Sequence, residues 1–170
     1  MPSPIIREAK PDDASALVEL FHRLYAETSF LLFEPGELEL KPADLGERIR
    51  QTKANASGTM CVAHASGGLV GLAFGNRGTA RRTSHGLGIV MGVLQSHWQQ
   101  GVGQALLGAV EAWATDANLH RLELTVQTSN NRAIALYERA GFVREGLKRH
   151  SLRISGEFVD EWHMSKLLDA

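Results

Sequence analysis

The apolar pattern of this chain changes period at Gly101, and that change constrains the fold more than any other feature. Before it, Leu87 to Leu94 is almost continuously apolar, as in a strand buried on both faces. After it, Val102, Leu106, Val110 and Trp113 recur along one helical stripe. A strand running through a turn into an amphipathic helix belongs in a mixed α/β domain.

The rest of the chain agrees. Ile5-Ile6 opens a short first strand, and Pro11-Asp12-Asp13 reads as a helix start, with Asp accepting first-turn N–H groups. Leu17, Leu20, Phe21 and Leu24 follow at helical spacing. Glu34-Pro35-Gly36 is a turn, and a shorter helix runs from Pro42 to about Lys53. Met60 to Ala65 and Leu69 to Phe74 form a hairpin around Ser66-Gly67-Gly68. Asn76-Arg77-Gly78 marks a further turn. Leu122, Leu124 and Val126 alternate with Glu123, Thr125 and Gln127, the period of a strand. Asn130 to Ala140 is a helix stopped by Gly141. Phe142 to Arg153 and Phe158 to Leu168 close the chain as a hairpin. The order is β-α-α-β-β-β-α-β-α-β-β. It predicts one α/β (α+β) domain over 1–170, a mostly antiparallel sheet covered by helices.

Composition narrows the functions. A formal net charge of -1 supplies no field for nucleic acid or an anionic membrane. No apolar run approaches the roughly 18 residues needed to span a bilayer. The N-terminal segment lacks the apolar core of a signal peptide, and Cys61 is the single cysteine. These point to a cytoplasmic protein. The 7 histidines never form H-x-H or H-E-x-x-H, so no metal is expected.

The chemistry concentrates around Gln99-Gln100-Gly101-Val102-Gly103-Gln104. Glycines at a helix start leave backbone N–H groups unobstructed, and the positive end of the helix dipole suits a pyrophosphate. The competing reading is that both glycines only allow close helix-to-sheet packing. A dinucleotide fingerprint fits poorly, because Leu106 stands where its third glycine should be. No G-K-[ST] tripeptide occurs, so a nucleoside triphosphate loop is excluded.

Trp98-Gln99-Gln100-Gly101-Val102-Gly103 resembles the R/Q-x-x-G-x-G/A signature of the GNAT superfamily of N-acetyltransferases. Asn130 to Phe142 is similar to that family's N-x-x-A-I-x-L-Y-x-x-x-G-F segment. Trp98 departs from the common Arg or Gln, and the turn carries Gln rather than Lys or Arg. The resemblance implies acetyl-CoA as co-substrate. Met91, Gly92 and Val93 would pair with the pantetheine arm, Gln99 to Gln104 would hold the pyrophosphate through backbone donors, and Asn130 would bind the pantetheine end. Tyr137 would protonate the departing thiolate as general acid; spacing alone reads it as a half-buried aromatic packed beside Phe142, and the flanking motif turns the reading toward the acid.

An acceptor amine near pKa 10.4 must lose a proton before attack. Glu123 is the candidate base, although a salt-bridged Glu123 reads as well, and deprotonation through water is a further route. The position where some members carry the base is Thr125. Glu34, in the loop between the first two helices, is a candidate contact for a cationic acceptor. His97 and the Arg77, Arg81 and Arg82 cluster read as surface. The expected function is acetyl transfer to the primary amine of a small molecule, an amino acid or polyamine, by an enzyme that forms a homodimer like many members. The alternatives are a protein N-terminus or lysine as acceptor, and a non-catalytic acyl-CoA sensor.

Overall fold

In the computed structural model, which describes residues 3–65 and 67–169, the elements fall in the expected order. They are β1 (Ile5–Glu8), α1 (Ala14–Glu27), α2 (Pro42–Ala54), β2 (Gly58–Ala65), β3 (Gly68–Arg77), β4 (Gly86–Val93), α3 (Val102–Asp116), β5 (Arg121–Gln127), α4 (Asn131–Arg139), β6 (Val143–Ile154) and β7 (Glu157–Leu167). Ser66, part of the expected hairpin turn, lies outside the described residues. The strands form one sheet in the order β1-β2-β3-β4-β5-β7-β6. Every neighbouring pair is antiparallel except β4 with β5.

Helices cover both faces, and missing side chains let them approach. A Cβ on Gly71 would stand 3.1 Å from Leu106 of α3, and one on Gly92 would stand 3.0 Å from Leu24 of α1. Gly71 pairs with Val93, the neighbour of Gly92, so the two glycines point to opposite faces. α1 therefore packs on one face and α3 on the other. Leu17, Leu20 and Leu24 from α1 and Val102, Leu106 and Val110 from α3 are at most 2% exposed. Burying each such side chain contributes about 2 kcal/mol.

Local expectations need four corrections. Asp13 does not cap α1. Its carboxylate accepts both Arg7 guanidinium donors, at 2.7 and 2.8 Å, and the Lys10 N–H. Arg7 holds the Asp13 carboxyl below the usual carboxylate range, chiefly through this hydrogen bonding. Asn76 and Arg77 are not a turn but continue β3, opposite Gly88 and Leu87, because the ladder with β4 keeps its register. β4 is not buried on both faces: Leu87 and Ile89 enter the core, whereas Val90 is 43% exposed. Gln127, expected on the polar side of β5, is buried, and its Nε2 donates to the Ser29 carbonyl at 2.6 Å. The closing hairpin holds: Ser155 and Gly156 adopt φ of 50° and 87°, the pair of left-handed residues a two-residue hairpin turn requires.

Candidate active site

The parallel strands β4 and β5 pair over a short stretch. Gly86, Leu87 and Gly88 face Arg121, Leu122 and Glu123, and no pairing follows. β4 continues along β3 and β5 along β7, so the sheet splits. A cleft of about 1010 Å³ occupies the split. Its walls are Ile89 to Val93, Thr125 and Val126, the start of α3, one side of α4, and Thr28 and Phe30 to Leu32 after α1. That volume suits a substantial organic ligand.

The edge of β4 has free backbone groups. Leu94 N–H donates to Val70, and bonding alternates along an antiparallel ladder. Gly92 therefore bonds toward β3, while Met91 and Val93 turn their backbone groups toward the split. The Val93 carbonyl accepts the Trp98 indole N–H at 2.6 Å, which pins the turn to the strand. Of the expected trio, Met91 and Val93 present polar backbone to the cleft, and Gly92 makes room for α1.

The loop before α3 is held in left-handed backbone at Gln99 (φ 59°) and Gly101 (φ 80°). The first helical bond recorded at this terminus runs from Ala105 N–H to the Gly101 carbonyl. The N–H groups of Val102, Gly103 and Gln104 precede it and have no helical acceptor. Gln99, Gly101, Gly103 and Gln104 line the cleft. Val102 is buried in the core, and the Gln100 side chain donates to the Ser96 carbonyl, so neither side chain faces the cleft. Gly103 also serves packing, since a Cβ there would lie 3.1 Å from Leu136 of α4. The glycine pair thus leaves backbone N–H groups open and also permits close packing.

Asn130 caps α4, its Oδ1 accepting the Ala133 N–H at 3.3 Å, and it lines the cleft. Tyr137, about two helical turns further on, is 7% exposed and packs beside Phe142 with ring centroids 5.8 Å apart. Its ring packs in the core, the residue also lines the cleft, and its hydroxyl has no hydrogen-bond partner among the described residues. Burial pushes its phenol up to about 12. The phenol therefore keeps its proton throughout the physiological range.

Glu123 and Glu34 stand apart from this group. Glu123 is not in the cleft lining. Arg121 Nε donates to its Oε2 at 2.9 Å, and His163 stands 3.7 Å away. The same Arg121 grips Glu145 through two hydrogen bonds of 2.8 and 2.6 Å. Glu34 is exposed in its turn and accepts the Glu37 N–H through its carbonyl at 3.1 Å. The apolar Phe30, Leu31 and Leu32 line the cleft instead.

Several lining residues escaped the sequence reading. Arg132 lies over the Trp98 ring, 3.2 Å from its centroid, and supplies the cation the Gln-rich loop lacks. Desolvation lowers its pKa. His97, expected at the surface, also lines the cleft. Lys148, Ser151 and Glu161 enter from the β6–β7 hairpin. No group of three or more metal-ligating side chains occurs among the described residues.

Fold and cleft match those of acetyltransferases. A model of the acetyltransferase (GNAT) family matches residues 18–142, and the chain belongs to that family. It is 31% identical over 146 residues to the aminoglycoside N(6')-acetyltransferase type 1 of Stenotrophomonas maltophilia, covering 82% of this chain and 86% of that protein. The crystal structure of a GNAT acetyltransferase from Streptococcus pneumoniae superposes with a TM-score of 0.93 at 30% identity, covering 97% of this chain and 99% of that one. The yncA structure from Salmonella typhimurium, solved with acetyl-CoA, superposes with a TM-score of 0.87 at 17% identity, covering 99% and 96%. The chain is an enzyme of the acetyltransferase class.

Proposed function

We propose that this enzyme transfers the acetyl group of acetyl-CoA to the primary amine of a small molecule of amino acid or polyamine type. The carrying observation is that one cleft holds three features: the unpaired edge of β4, the open N-terminus of α3 and the unpartnered hydroxyl of Tyr137. These suit, in turn, an amide-bearing arm, a pyrophosphate and a leaving sulfur. The amide edge is Met91 and Val93. The pyrophosphate site is the backbone of Gln99 to Gln104, with Arg132 beside it. Asn130 contributes its Nδ2 at the pantetheine end. The S. maltophilia relative is named for an aminoglycoside acceptor, which favours a small molecule over a protein.

In the reaction, the neutral amine attacks the thioester carbonyl. A C–N bond forms, the C–S bond breaks, and the amine's surplus proton leaves to water. Tyr137 faces the departing sulfur. A thiol near 8.5 and a phenol near 12 differ by about 3.5 pKa units, so full proton transfer costs about 5 kcal/mol if the thiolate were solvated. Tyr137 therefore acts first as a hydrogen-bond donor to the developing thiolate. Burial of that thiolate in the same cleft raises its basicity and narrows the gap.

The reading extends to a cytoplasmic homodimer. Cys61 is a buried free thiol, and the edge strand β6 leaves Val143 and Leu147 exposed. Light scattering on the purified chain tests the dimer. Thiol release from acetyl-CoA across amino acids, polyamines, amino-sugar antibiotics and peptides tests the activity. Turnover with a small amine supports the reading. Turnover with peptides alone overturns the acceptor class, and silence with intact acetyl-CoA binding overturns the enzyme's proposed reaction.

A further inference from the structure

Glu161 is the buried carboxylate that no part of the proposed reaction uses. It is 9% exposed and lies in the cleft wall. One of its oxygens, Oε2, accepts the Ser151 hydroxyl at 2.8 Å and faces the Lys148 ammonium at 3.4 Å. Oε1 has no protein partner among the described residues, so it is open to the cleft.

Register places this group. Gly88 pairs with Glu123, Gln127 with Glu161, and Lys148 with Glu161. Residues an even number apart on a strand share a face, so Glu161 shares the face of Gly92 and α1. The Gln127 bond to Ser29, just past α1, agrees. Gly103, Met91 and Leu136 meet on the opposite face, which carries α3, α4 and therefore Tyr137. The split between β4 and β5 joins the two faces. The cleft is thus lined from both faces, and Glu161 stands on the α1 side.

We infer that Glu161 and Lys148 together form the acceptor subsite, and that the acceptor they select is amphoteric, an α-amino acid. This rests on the acetyltransferase reading above. Glu161 Oε1 takes the acceptor's ammonium. Lys148, about half exposed, has donors to spare for its carboxylate. The two charges lie 3.4 Å apart, which matches the short separation of ammonium and carboxylate in an α-amino acid. A polyamine or aminoglycoside would bring further cations against Lys148 and be disfavoured. Glu161 is a binding group and not a base. It holds and orients the acceptor as the ammonium, whose proton leaves to water before the neutral amine attacks.

The test compares an amino acid, its carboxamide, a diamine and an aminoglycoside as acceptors with the full chain. Wild-type enzyme prefers the amino acid over its carboxamide. Glu161→Gln raises the acceptor KM about tenfold or more, the loss expected for one charge-assisted bond, and leaves acetyl-CoA affinity by calorimetry unaltered. That calorimetric value also certifies the fold of the variant. Lys148→Met lowers the ratio of kcat/KM for acid over carboxamide about tenfold. A fall in kcat with no rise in KM for Glu161→Gln overturns the subsite, as does an unchanged ratio for Lys148→Met. Wild-type turnover of diamines or aminoglycosides but not amino acids overturns it and leaves the acetyltransferase reading standing. No thiol release and no acetyl-CoA binding overturns both.

Discussion

Gly88 of β4 lies opposite Glu123 of β5, and this is where the two parallel strands last pair. Four residues beyond Gly88, Gly92 packs against α1, and two beyond Glu123, Thr125 already lines the cleft. The position of Glu123 explains its role. It sits at the closed end of the split, held by Arg121 and outside the cleft lining.

Tyr137→Phe keeps the packed ring and removes the hydroxyl. Turnover is expected to fall ~100-fold or more, with acetyl-CoA affinity retained. Thiol release and calorimetry read the two effects separately. Because burial raises the phenol to about 12, wild-type kcat should show no decline from Tyr137 ionisation up to about pH 10. Undiminished turnover in the variant would sink the donor role.

Arg132→Ala removes the cation stacked on Trp98. The stack contributes about 1 kcal/mol, and loss of a charge near the pyrophosphate adds to it. Acetyl-CoA affinity should drop about fivefold or more, and its dependence on ionic strength should flatten. A titration at low and high salt decides this. Equal salt dependence in both proteins would place Arg132 outside the phosphate site.

Two glycines near one helix should respond with opposite signs. Gly101 holds φ at 80°, and an L side chain there costs about 1 kcal/mol, so Gly101→Ala lowers Tm by about 3 °C and weakens acetyl-CoA binding. Gly108, inside α3, has nothing within 4 Å of an added Cβ. Gly108→Ala should raise stability by about 0.5–1 kcal/mol through helix propensity. Thermal melts of both variants test the contrast, and a destabilised Gly108→Ala would contradict the packing described.

Glu145 carries a pH dependence. Hydrogen bonds from Arg121 and then Ser165 hold its carboxyl down to about 2, against about 4.3 unfolded. Its contribution is present above the unfolded value and is lost as pH falls toward about 2. The pair is partly exposed, so the effect is small and salt-sensitive. Melts of wild type and Glu145→Gln should differ at pH 6 and converge by about pH 2. A difference that stays constant over this range would rule out the linkage.

Elements and their order were legible in the sequence because they rest on short-range physics. The 3.6-residue stripe of α3, the alternation of β5 and the Ser155-Gly156 turn are each decided by neighbours along the chain. So is the open N-terminus of α3, which follows from where a helix can start. Asp13 shows the limit: its spacing fits a helix cap, yet Arg7 on β1 competes for the carboxylate with two charge-assisted bonds and takes it.

What only the tertiary structure decided is which side chains meet. No periodicity announces that β4 and β5 part after Gly88, since both strands keep their patterns past that point and the parting depends on pairing with β3 and β7. Arg132 reaches Trp98 because α4 packs beside the start of α3. Glu161, Ser151 and Lys148 meet because the β6–β7 register bulges between Lys148 and Leu152. The sequence by itself determined the segments and the open start of α3, through forces acting over a few residues. Register and packing between distant segments placed Glu161 in the cleft wall and left Glu123 and Glu34 out of it, because a carboxylate's surroundings in a folded chain are set by contacts that local spacing does not encode.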